Sequence, residues 1–490
     1  MEISVRKKNW IAPVVAVVMA AVIITITLFI PPYVGMEDNR DFSRVIYPEG
    51  LYDLPQNSDL LYTGYFIKEY GIMQYFNQST KSVYSSQAIF IQPAIWLDKL
   101  LTGNDTIFDL RYLGIMITIY FLIALYFLVD YLSYRLTLVS SLAIALVSVV
   151  VFVDTGYIAY FNSFYAEQVA YVSFIAAVTC ALLYADQRYN KYAMLAGFVV
   201  NGLILTFSKQ QLAPIGAVLG IVCLFFYLKA QGRTFKVLVA ISSAALIFTG
   251  IVVYLLISTT YTNINMFHAM TRGVLMTSDN PPETLASFDI DREYDLLNQT
   301  IYYDRYPVID PEDERMQEQF YSKYGVASIV QYYVANPDAF VEMMGLAAQN
   351  AYTIRPNLGN YEYASGYPPK TQARVLSVYS SLKKNYTPKT SGFIIIWMVC
   401  ALALVYKKRL KQIILLGVML AGLSQFVVSI VGAGDADLAK HIFLYNVAFD
   451  LVNVILLGHV IAFFDGKYRE RKSMTAAAEM DIDDAVYKNT

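Results

Sequence analysis

The chain has 490 residues, of which 57% are hydrophobic and only 16% are charged, and its mean hydropathy is +0.44. A soluble protein carries about 25% charged residues, so this composition, with its long apolar runs, predicts an all-α polytopic membrane protein. The net charge of −2 excludes a broad basic surface for nucleic acid.

Ten apolar segments are predicted to span the membrane, since about 20 helical residues cross a hydrocarbon core of about 30 Å. In chain order they are 11–30, 112–132, 137–153, 168–185, 192–207, 212–228, 237–258, 391–406, 412–431 and 442–463. The first segment is longer than the roughly 7–15 apolar residues of a signal peptide, and no small-x-small cleavage site follows it. We therefore expect it to be retained as an anchor.

Lys and Arg in the short connections predict the orientation, because cytoplasmic loops carry an excess of these residues. One alternating set of connections, which includes both chain ends, is rich in them: Arg6, Lys7, Lys8, Arg135, Arg188, Lys191, Lys229, Arg233, Lys236, Lys407, Lys408, Arg409, Lys411, Lys467, Arg469, Arg471 and Lys472. The short loops of the opposite set contain only Lys209 and Lys440. We predict a multi-pass protein of the cell membrane with both termini in the cytoplasm.

This topology divides the chain into four parts. A membrane domain of seven spans covers residues 1–258 and contains the first outer loop, 31–111. An extracytoplasmic loop domain covers 259–390, three further spans cover 391–463, and a cytoplasmic tail covers 464–490. Both large outer loops are expected to carry short helices.

Two helices are predicted inside these loops. The apolar stretch "SSQAIFIQPAIWLDKLL" (85–101) is too short to span and contains Pro93, so it is expected to lie along the membrane. The stretch 336–352 has Pro337 and Asp338 in its first turn, which is a common helix start.

Common signatures of soluble enzymes are missing. The sequence has no Walker-type phosphate loop, no G-x-S-x-G and no H-E-x-x-H. Its three cysteines lie in apolar runs without metal-ligand spacing, so neither a metal site nor a disulfide framework is predicted. Because no cytoplasmic loop is long enough to hold a nucleotide sugar, a donor that arrives within the membrane is favoured.

Packed acids follow the first span directly. The stretch "MEDNRDFSRV" (36–45) contains Glu37, Asp38 and Asp41, with Arg40 and Arg44 among them. One interpretation is a solvated turn with internal ion pairs. The other is a general base at the membrane surface, where lost hydration raises a carboxylate pKa toward the range useful for proton abstraction.

A second outer stretch, "YFNSFYAEQ" (160–168), combines aromatic rings with Asn162 and Glu167. One interpretation of Glu167 is purely structural, because an acid at the start of a helix is stabilised by the helix dipole. Rings that stack on sugar faces, beside groups that bind hydroxyls, also suit a carbohydrate site.

A third stretch, "GDADLAKHIFLYNVAFD" (434–450), places Asp437 and His441 on one helix face. Below them, Asn446, Asp450 and Asn453 form a polar stripe inside the last span. A charged Asp there costs about 2.5–3.5 kcal/mol on insertion scales, so it should face a polar cavity or a partner. Hydrogen bonding between helices is the simpler interpretation.

The large loop adds two arginines, Arg272 in "HAMTRG" and Arg355 in "IRPNLGNYEYASGYPPKTQ". Arginine binds phosphate bidentately, although a lone arginine is usually part of a surface ion pair.

Five stretches of the chain together resemble the GT-C integral-membrane glycosyltransferases and, more narrowly, are similar to the glycan-biosynthesis hexose transferase (WsfD-like) family. They are "VGMEDNRDFSRV" (34–45), "LYTGYFIKEYG" (61–71), "YIAYFNSFYAEQ" (157–168), "IRPNLGNYE" (354–362) and "DADLAKHIFLYNVAFD" (435–450). The chain departs from the family pattern, roughly "ADNGDF", at Glu37 and Arg40, where small residues are expected. The resemblance implies that Asp41 is the catalytic carboxylate, which acts as the base, and that Asp38 is the second candidate for this role. It also implies that Glu167 belongs to the second acidic motif of the family.

This resemblance also implies a GT-C-like fold and a reaction. The donor would be a polyprenyl-phosphate-linked hexose, and a cell-wall or surface-glycan hydroxyl would attack its anomeric carbon while an aspartate takes the proton. Cations are expected at the leaving phosphate, namely Arg272, Arg355, Lys440 and His441, and substrate contacts from Tyr160, Asn162, Asn360 and Asp437. The chemistry requires no cofactor, and binding of a divalent metal at the paired acids stays an alternative.

Three other functions compete with this one. A flippase or transporter of lipid-linked glycans would use the Asp450 stripe as a path, but no internal repeat is present. A polymerase of lipid-linked glycans would place its key residues in later outer loops. A non-catalytic scaffold would tolerate Asp41→Asn.

Overall fold

The computed structural model describes residues 10–55, 57–75, 77, 83–406 and 408–488, without the side chains of 59, 60, 259, 260 and 476–488. Four cations that entered the topology prediction, Arg6, Lys7, Lys8 and Lys407, lie outside the described residues.

Helices dominate the described chain. They are α1 Ile11–Ile24, α2 Ser43–Ile46, α3 Asp59–Tyr62, α4 Ala88–Thr102, α5 Arg111–Leu132, α6 Leu138–Phe152, α7 Thr155–Ile158, α8 Glu167–Ala185, α9 Lys191–Ser208, α10 Ala213–Leu224, α11 Arg233–Leu255, α12 Thr259–Ala269, α13 Pro281–Ser287, α14 Glu314–Gln319, α15 Val326–Ala335, α16 Pro337–Asn350, α17 Val378–Tyr386, α18 Ser391–Leu404, α19 Arg409–Ala433, α20 Leu438–His441 and α21 Phe443–Lys488. Three short strands, β1 Leu51–Tyr52, β2 Glu69–Ile72 and β3 Ile107–Asp109, form an antiparallel sheet in the order β1-β2-β3.

The described helices confirm an all-α polytopic membrane protein. Eight of them are long and apolar enough to span a membrane, and ten spans result if each of two bent pairs counts as one. The bent pairs are Leu138–Phe152 with Thr155–Phe161, at 51°, and Val378–Tyr386 with Ser391–Leu404, at 115°. Nine of the ten predicted segments coincide with helices to within a few residues at each end, and the tenth, 442–463, matches only the start of its longer helix.

Small residues let the spanning helices approach one another closely. In α1, Ala12, Ala16 and Ala20 are four residues apart and fully buried, and the helix packs on α5 and α6. Its larger side chains, such as Val18 and Val22, point outward and are more than half exposed. This division is typical of helices that pack through a small-residue stripe and turn their large apolar side chains to lipid.

Helix α8 lies at the centre of the bundle. It packs against α5, α9, α19 and α21, and all its residues except Cys180 are buried. Because Glu167 is its first residue, the position of that carboxylate is fixed by the surrounding helices.

The two long loops, 31–111 and 259–390, meet at one end of the bundle, here called the loop end. The first contains the small sheet and α4, and the second contains α12 to α17. A second hydrophobic core forms there, in which residues of α12 to α16 pack against α19 and the start of α21. One side of α4 is buried through Ile91 and Ala94, whereas Ile89 and Trp96 on its other side are about 60% exposed.

The last helix extends beyond the predicted span. Residues 464–488 of the expected tail continue α21, which is 46 residues long. At 1.5 Å per residue the helix measures about 70 Å, more than twice a hydrocarbon core of about 30 Å.

Candidate active site

Backbone hydrogen bonds join the two long loops just after the first span. Val34 forms a β-bridge with Tyr361, and Gly35 N–H donates to Asn360 O at 3.0 Å. Glu37 N–H donates to Gly359 O at 2.9 Å. The acid stretch and the stretch "IRPNLGNYE" are therefore neighbours in space.

Two asparagines predicted to contact substrate lie inside this junction. Asn162 is fully buried, and its Nδ2 donates to the carbonyls of Leu28 and Val34 at 3.1 and 2.9 Å. Asn360 Nδ2 donates to Gly35 O at 2.9 Å, and its Oδ1 accepts from Ala373 N–H at 3.1 Å. Both amides hold backbone in place here, and a role in substrate binding stays a prediction.

The three acids of residues 36–45 have different surroundings. Glu37 is buried, and burial raises its pKa to about 7 although its Oε2 accepts from Gly359 N–H at 2.7 Å. Asp38 is also buried, and burial raises its pKa to about 6 although its Oδ1 accepts from Phe42 N–H at 3.1 Å. Asp41 alone is substantially open, with 32% of its side chain exposed.

Asp41 lies between two cations. Its Oδ2 is 2.5 Å from Lys440 Nζ, and its Oδ1 is 3.1 Å from Arg44 Nη1. Burial alone would raise the pKa of Asp41, but Lys440 and Arg44 together hold it well below its usual range. Asp41 is therefore a carboxylate at neutral pH.

Lys440 is a deeply placed cation. Only 9% of its side chain is exposed, and its Nζ lies 4.3 Å from the centroid of the Tyr165 ring. Burial disfavours its charge, yet Asp41 and Glu167 raise the pKa of Lys440 above its ordinary value. The Tyr165 hydroxyl accepts from Asn39 N–H at 3.0 Å, which fixes the acid turn against this ring.

Glu167 forms the second pair, with Lys209. Its Oε1 is 2.9 Å from Lys209 Nζ, and only 5% of the Glu167 side chain is exposed. Lys209 also interacts electrostatically with Asp41, and Lys440 with Glu167, so the two pairs form one site. We call Asp41, Glu167, Lys209, Lys440 and His441 the Asp41 cluster.

His441 completes this cluster as a neutral group. Burial and the nearby Lys209 and Lys440 lower its pKa to about 3. Gln211 Nε2 donates to the His441 carbonyl at 2.7 Å and ties α20 to the turn that follows Lys209.

Lys209 is the residue that the sequence argument missed. The sequence does mark it, because Lys209 and Lys440 are the only lysines or arginines in the opposite set of short loops, whose other charged residues are acidic. Both prove to be partners of the predicted catalytic acids. The charge asymmetry that predicted orientation therefore also marked the site.

The large loop covers one side of the cluster. Arg44 Nη2 donates to the Tyr303 hydroxyl at 3.2 Å, and its guanidinium lies 4.6 Å from the centroid of the Tyr261 ring. Tyr160, a predicted substrate contact, is fully buried beneath Tyr165, with 5.9 Å between ring centroids.

The two predicted arginines have other partners. Arg272 Nε and Nη2 lie 2.5 and 3.0 Å from the two carboxylate oxygens of Asp435, and its Nη1 donates to Gln299 O at 2.7 Å. Arg355 is half-buried beside Asp154 and donates to the Ala373 carbonyl. Asp437 directly precedes α20, with a φ of 45° in the left-handed region, and interacts electrostatically with Lys440.

The Asp41 cluster does not fit a divalent metal. Within the described part of the chain, no three side chains of His, Cys, Asp or Glu converge as a metal site requires. The open carboxylate, Asp41, already faces the cations Lys440 and Arg44. A divalent ion there would be repelled by both.

The polar stripe of the last span has a partner from the large loop. Asp450 is fully buried, with Lys383 Nζ 2.6 Å from its Oδ1 and the Tyr157 hydroxyl 2.5 Å from its Oδ2. The Tyr379 hydroxyl donates to Asp450 as well. A cavity of 590 Å³ lies beside this pair, between α6, α17 and α21.

The chain matches a protein family over nearly its whole length. Residues 2–479 match the model of the family described as the YfdI N-terminal transmembrane domain. The chain belongs to this family, which is associated with GT-C-like membrane glycosyltransferases. No curated protein and no solved structure matches the chain.

Proposed function

We propose that this member of the family transfers a hexose from a polyprenyl-phosphate-linked donor to a cell-surface or cell-wall glycan. One observation carries the proposal. The open carboxylate Asp41 and the buried Glu167 meet two lysines, Lys440 and Lys209, at the loop end of a membrane bundle. An acid for proton transfer beside cations for a phosphate is what such a reaction needs.

The lysines are the proposed phosphate-binding groups. In the structure each is held by a carboxylate, so a phosphate that enters would compete with Asp41 for Lys440 and with Glu167 for Lys209. Arg272 and Arg355 would join them only after leaving Asp435 and the Ala373 carbonyl. Neutral His441 adds no charge and would act as a hydrogen-bond partner.

Donor binding would also activate the base. With Lys440 in contact, the pKa of Asp41 lies too low for efficient proton abstraction. When Lys440 turns to the phosphate, Asp41 loses its nearest cation, and its pKa rises. The base would then become effective only when the donor is in place.

The chemical step follows from these positions. The acceptor oxygen forms a bond to the anomeric carbon while its proton passes to Asp41. The bond between the anomeric carbon and the phosphate oxygen breaks, and its electron pair leaves with the polyprenyl phosphate. Lys440 and Lys209 stabilise the charge that develops on this phosphate. Asp38 is the second candidate for the base, because it is buried and already accepts a hydrogen bond from Phe42 N–H.

We place the reaction on the outer face of the cell membrane, with both chain termini in the cytoplasm. The support is the excess of Lys and Arg in the connections at the other end of the bundle. The proposed chemistry requires no cofactor.

The test is transfer of radiolabelled hexose from a synthetic polyprenyl-phosphate hexose by the purified protein. Wild type should transfer the label to acceptor glycan, and Glu167→Gln should slow the transfer. Asp41→Asn should abolish the transfer while the protein stays folded. If Asp38→Asn abolishes transfer and Asp41→Asn does not, Asp38 is the base. If wild type transfers no label but moves lipid-linked sugar between the leaflets of proteoliposomes, the protein is a transporter and the proposal is wrong.

A further inference from the structure

Exposed tyrosine rings gather on the segment 359–371 of the large loop. Tyr363 is 65% exposed and Tyr367 is 44% exposed. The rings of Tyr361 and Tyr367 are stacked, with 4.3 Å between centroids and 22° between planes. Tyr363 packs edge-on against Tyr65 of the first loop, at 5.3 Å. We call Tyr361, Tyr363 and Tyr367 the tyrosine platform.

The backbone beneath the tyrosine platform is held firmly. Phe66 N–H donates to Tyr361 O at 3.0 Å, and Lys370 N–H donates to Gly64 O at 2.8 Å. Gly366 turns the chain at φ 75°, a conformation that glycine adopts without strain. Tyr363 and Tyr367 are therefore held at the surface, whereas Tyr361 is half-buried and packs against the core. A fixed ring loses little entropy when it binds a ligand.

The surroundings of the platform favour a carbohydrate. Each tyrosine offers a flat apolar face and a hydroxyl, which suits the mixed surface of a sugar. Charged groups that bind hydroxyls stand alongside, since Lys68 Nζ lies 3.9 Å from Glu362 Oε2 and Lys370 is exposed. The open side of α4 differs, because Ile89 and Trp96 there present an apolar surface suited to lipid.

The platform lies near the Asp41 cluster. Its segment pairs with residues 34–37 through Val34–Tyr361 and through Glu37 N–H to Gly359 O. Asp41 follows Glu37 by four residues, so its Cα lies within about 14 Å of that of Glu37, the residue that pairs with the platform's segment. A glycan of several sugar units, bound at the platform, would extend toward Asp41.

We propose that the tyrosine platform is the acceptor subsite, where sugar rings of the glycan stack on Tyr363 and Tyr367 and Tyr361 supports the Tyr367 ring. The role as acceptor site rests on the proposed transferase function, but glycan binding itself does not. The platform would hold the chain so that a hydroxyl at its end reaches Asp41.

Direct binding tests the platform without any transfer. The probe is polysaccharide released by mild acid from the surface of the cells in which the protein occurs, and calorimetry measures its binding to the full chain in nanodiscs. Tyr363→Ala and Tyr367→Ala should each weaken binding about tenfold. The control is Tyr386→Ala, which removes a tyrosine that is 79% exposed on α17 and should change nothing.

Kinetics then separates the acceptor role from the transferase proposal. In an active protein the platform variants should raise KM for acceptor about tenfold and leave kcat and donor binding unchanged. If wild type binds polysaccharide but transfers nothing, the transferase proposal fails and the glycan site stands. Wild-type polysaccharide affinity in both platform variants, or no binding by wild type, would overturn the platform.

A spin label at Ala364→Cys, an exposed position next to Tyr363, addresses lipid contact. The label is placed in a Cys400→Ser chain, which lacks the exposed native thiol. We expect the spin label to collide more often with a water-soluble nickel complex than with oxygen from the lipid phase. Added polysaccharide should reduce the collisions with nickel. Dominant collision with oxygen from the lipid phase would identify the platform as a membrane anchor and overturn the glycan site.

Discussion

Lys440 Nζ contacts Asp41 Oδ2 although 399 positions of the chain separate the two residues. The contact brings the connection before the last span against the loop that follows the first. Each partner alone has an ordinary explanation, as a loop lysine or as a juxtamembrane acid. Together they place a buried cation against a half-open carboxylate, and this pairing is the reason to expect coupled donor binding and proton transfer.

Replacement of Lys440 should weaken donor binding. We expect Lys440→Gln to raise KM for the polyprenyl-phosphate donor about tenfold or more and to lower transfer further, because the leaving phosphate loses a charged partner. The matched control is Lys384→Gln, an exposed lysine on α17. Initial rates at varied donor concentration measure both. Unchanged donor KM in Lys440→Gln would remove this lysine from the phosphate site.

The Lys209–Glu167 pair should show a structural and a functional effect that can be separated. Lys209→Gln leaves Glu167 buried without its partner, so we expect unfolding at lower temperature, with a loss of about 1–3 kcal/mol. Adding Glu167→Gln should restore the thermal stability, because the orphaned charge is gone. Transfer should stay low in the double variant if Lys209 binds phosphate. Full recovery of transfer would make the pair purely structural.

The spans could be predicted from sequence because length and apolarity are local properties of each segment. The strand β2, with only four residues, is too short for an alternating pattern to indicate it. The Asp41 cluster could be predicted only in part. Asp41, Glu167, Lys440 and His441 were all candidates, yet nothing in the linear sequence pairs Asp41 with Lys440 and Glu167 with Lys209.

The partner of Asp450 shows why contacts between distant parts of the chain could not be predicted from the sequence. Lys383 belongs to a polar segment of the large loop, which gives no sign of entering the bundle. The structure turns α17 back against α6, and its lysine becomes fully buried at Asp450. Burial of a lysine depends on a distant counterion, so composition around Lys383 could not indicate it.

Glu37 should make stability fall as the pH rises. Burial raises its pKa from 4.5 to about 7, so its stabilising contribution is complete below pH 4.5 and is lost as the pH passes 7. The change is on the order of 3 kcal/mol. Glu37→Gln keeps an acceptor for Gly359 N–H, and its melting temperature should fall less between pH 5 and 8. Asp38 acts in the same direction, so some slope should remain. Identical slopes in wild type and Glu37→Gln would contradict the raised pKa.

Arg40 occupies a position that favours glycine. Its φ of 74° lies in the left-handed region, which costs a non-glycine residue about 1–2 kcal/mol. Arg40→Gly and Arg40→Ala both remove the side chain and its contact with the Tyr62 ring, but only glycine relieves the backbone. We therefore expect Arg40→Gly to be more stable than Arg40→Ala by about 1 kcal/mol in thermal unfolding. Equal stability would show that the turn carries no strain at this residue.

The Asp450–Lys383 pair decides between a structural role and a transport path. Asp450→Asn leaves Lys383 fully buried without the carboxylate that contacts its Nζ, so we expect a loss of about 3–5 kcal/mol in stability. The double variant Asp450→Leu with Lys383→Met removes both charges and should recover most of that loss. Thermal unfolding in detergent measures stability, and hexose transfer is assayed on the same samples. If the pair only holds α17 against the last span, the double variant should transfer at a rate close to wild type, because the Asp41 cluster is untouched. Restored folding with abolished function, together with lost movement of lipid-linked sugar in proteoliposomes, would instead assign the pair to a translocation path.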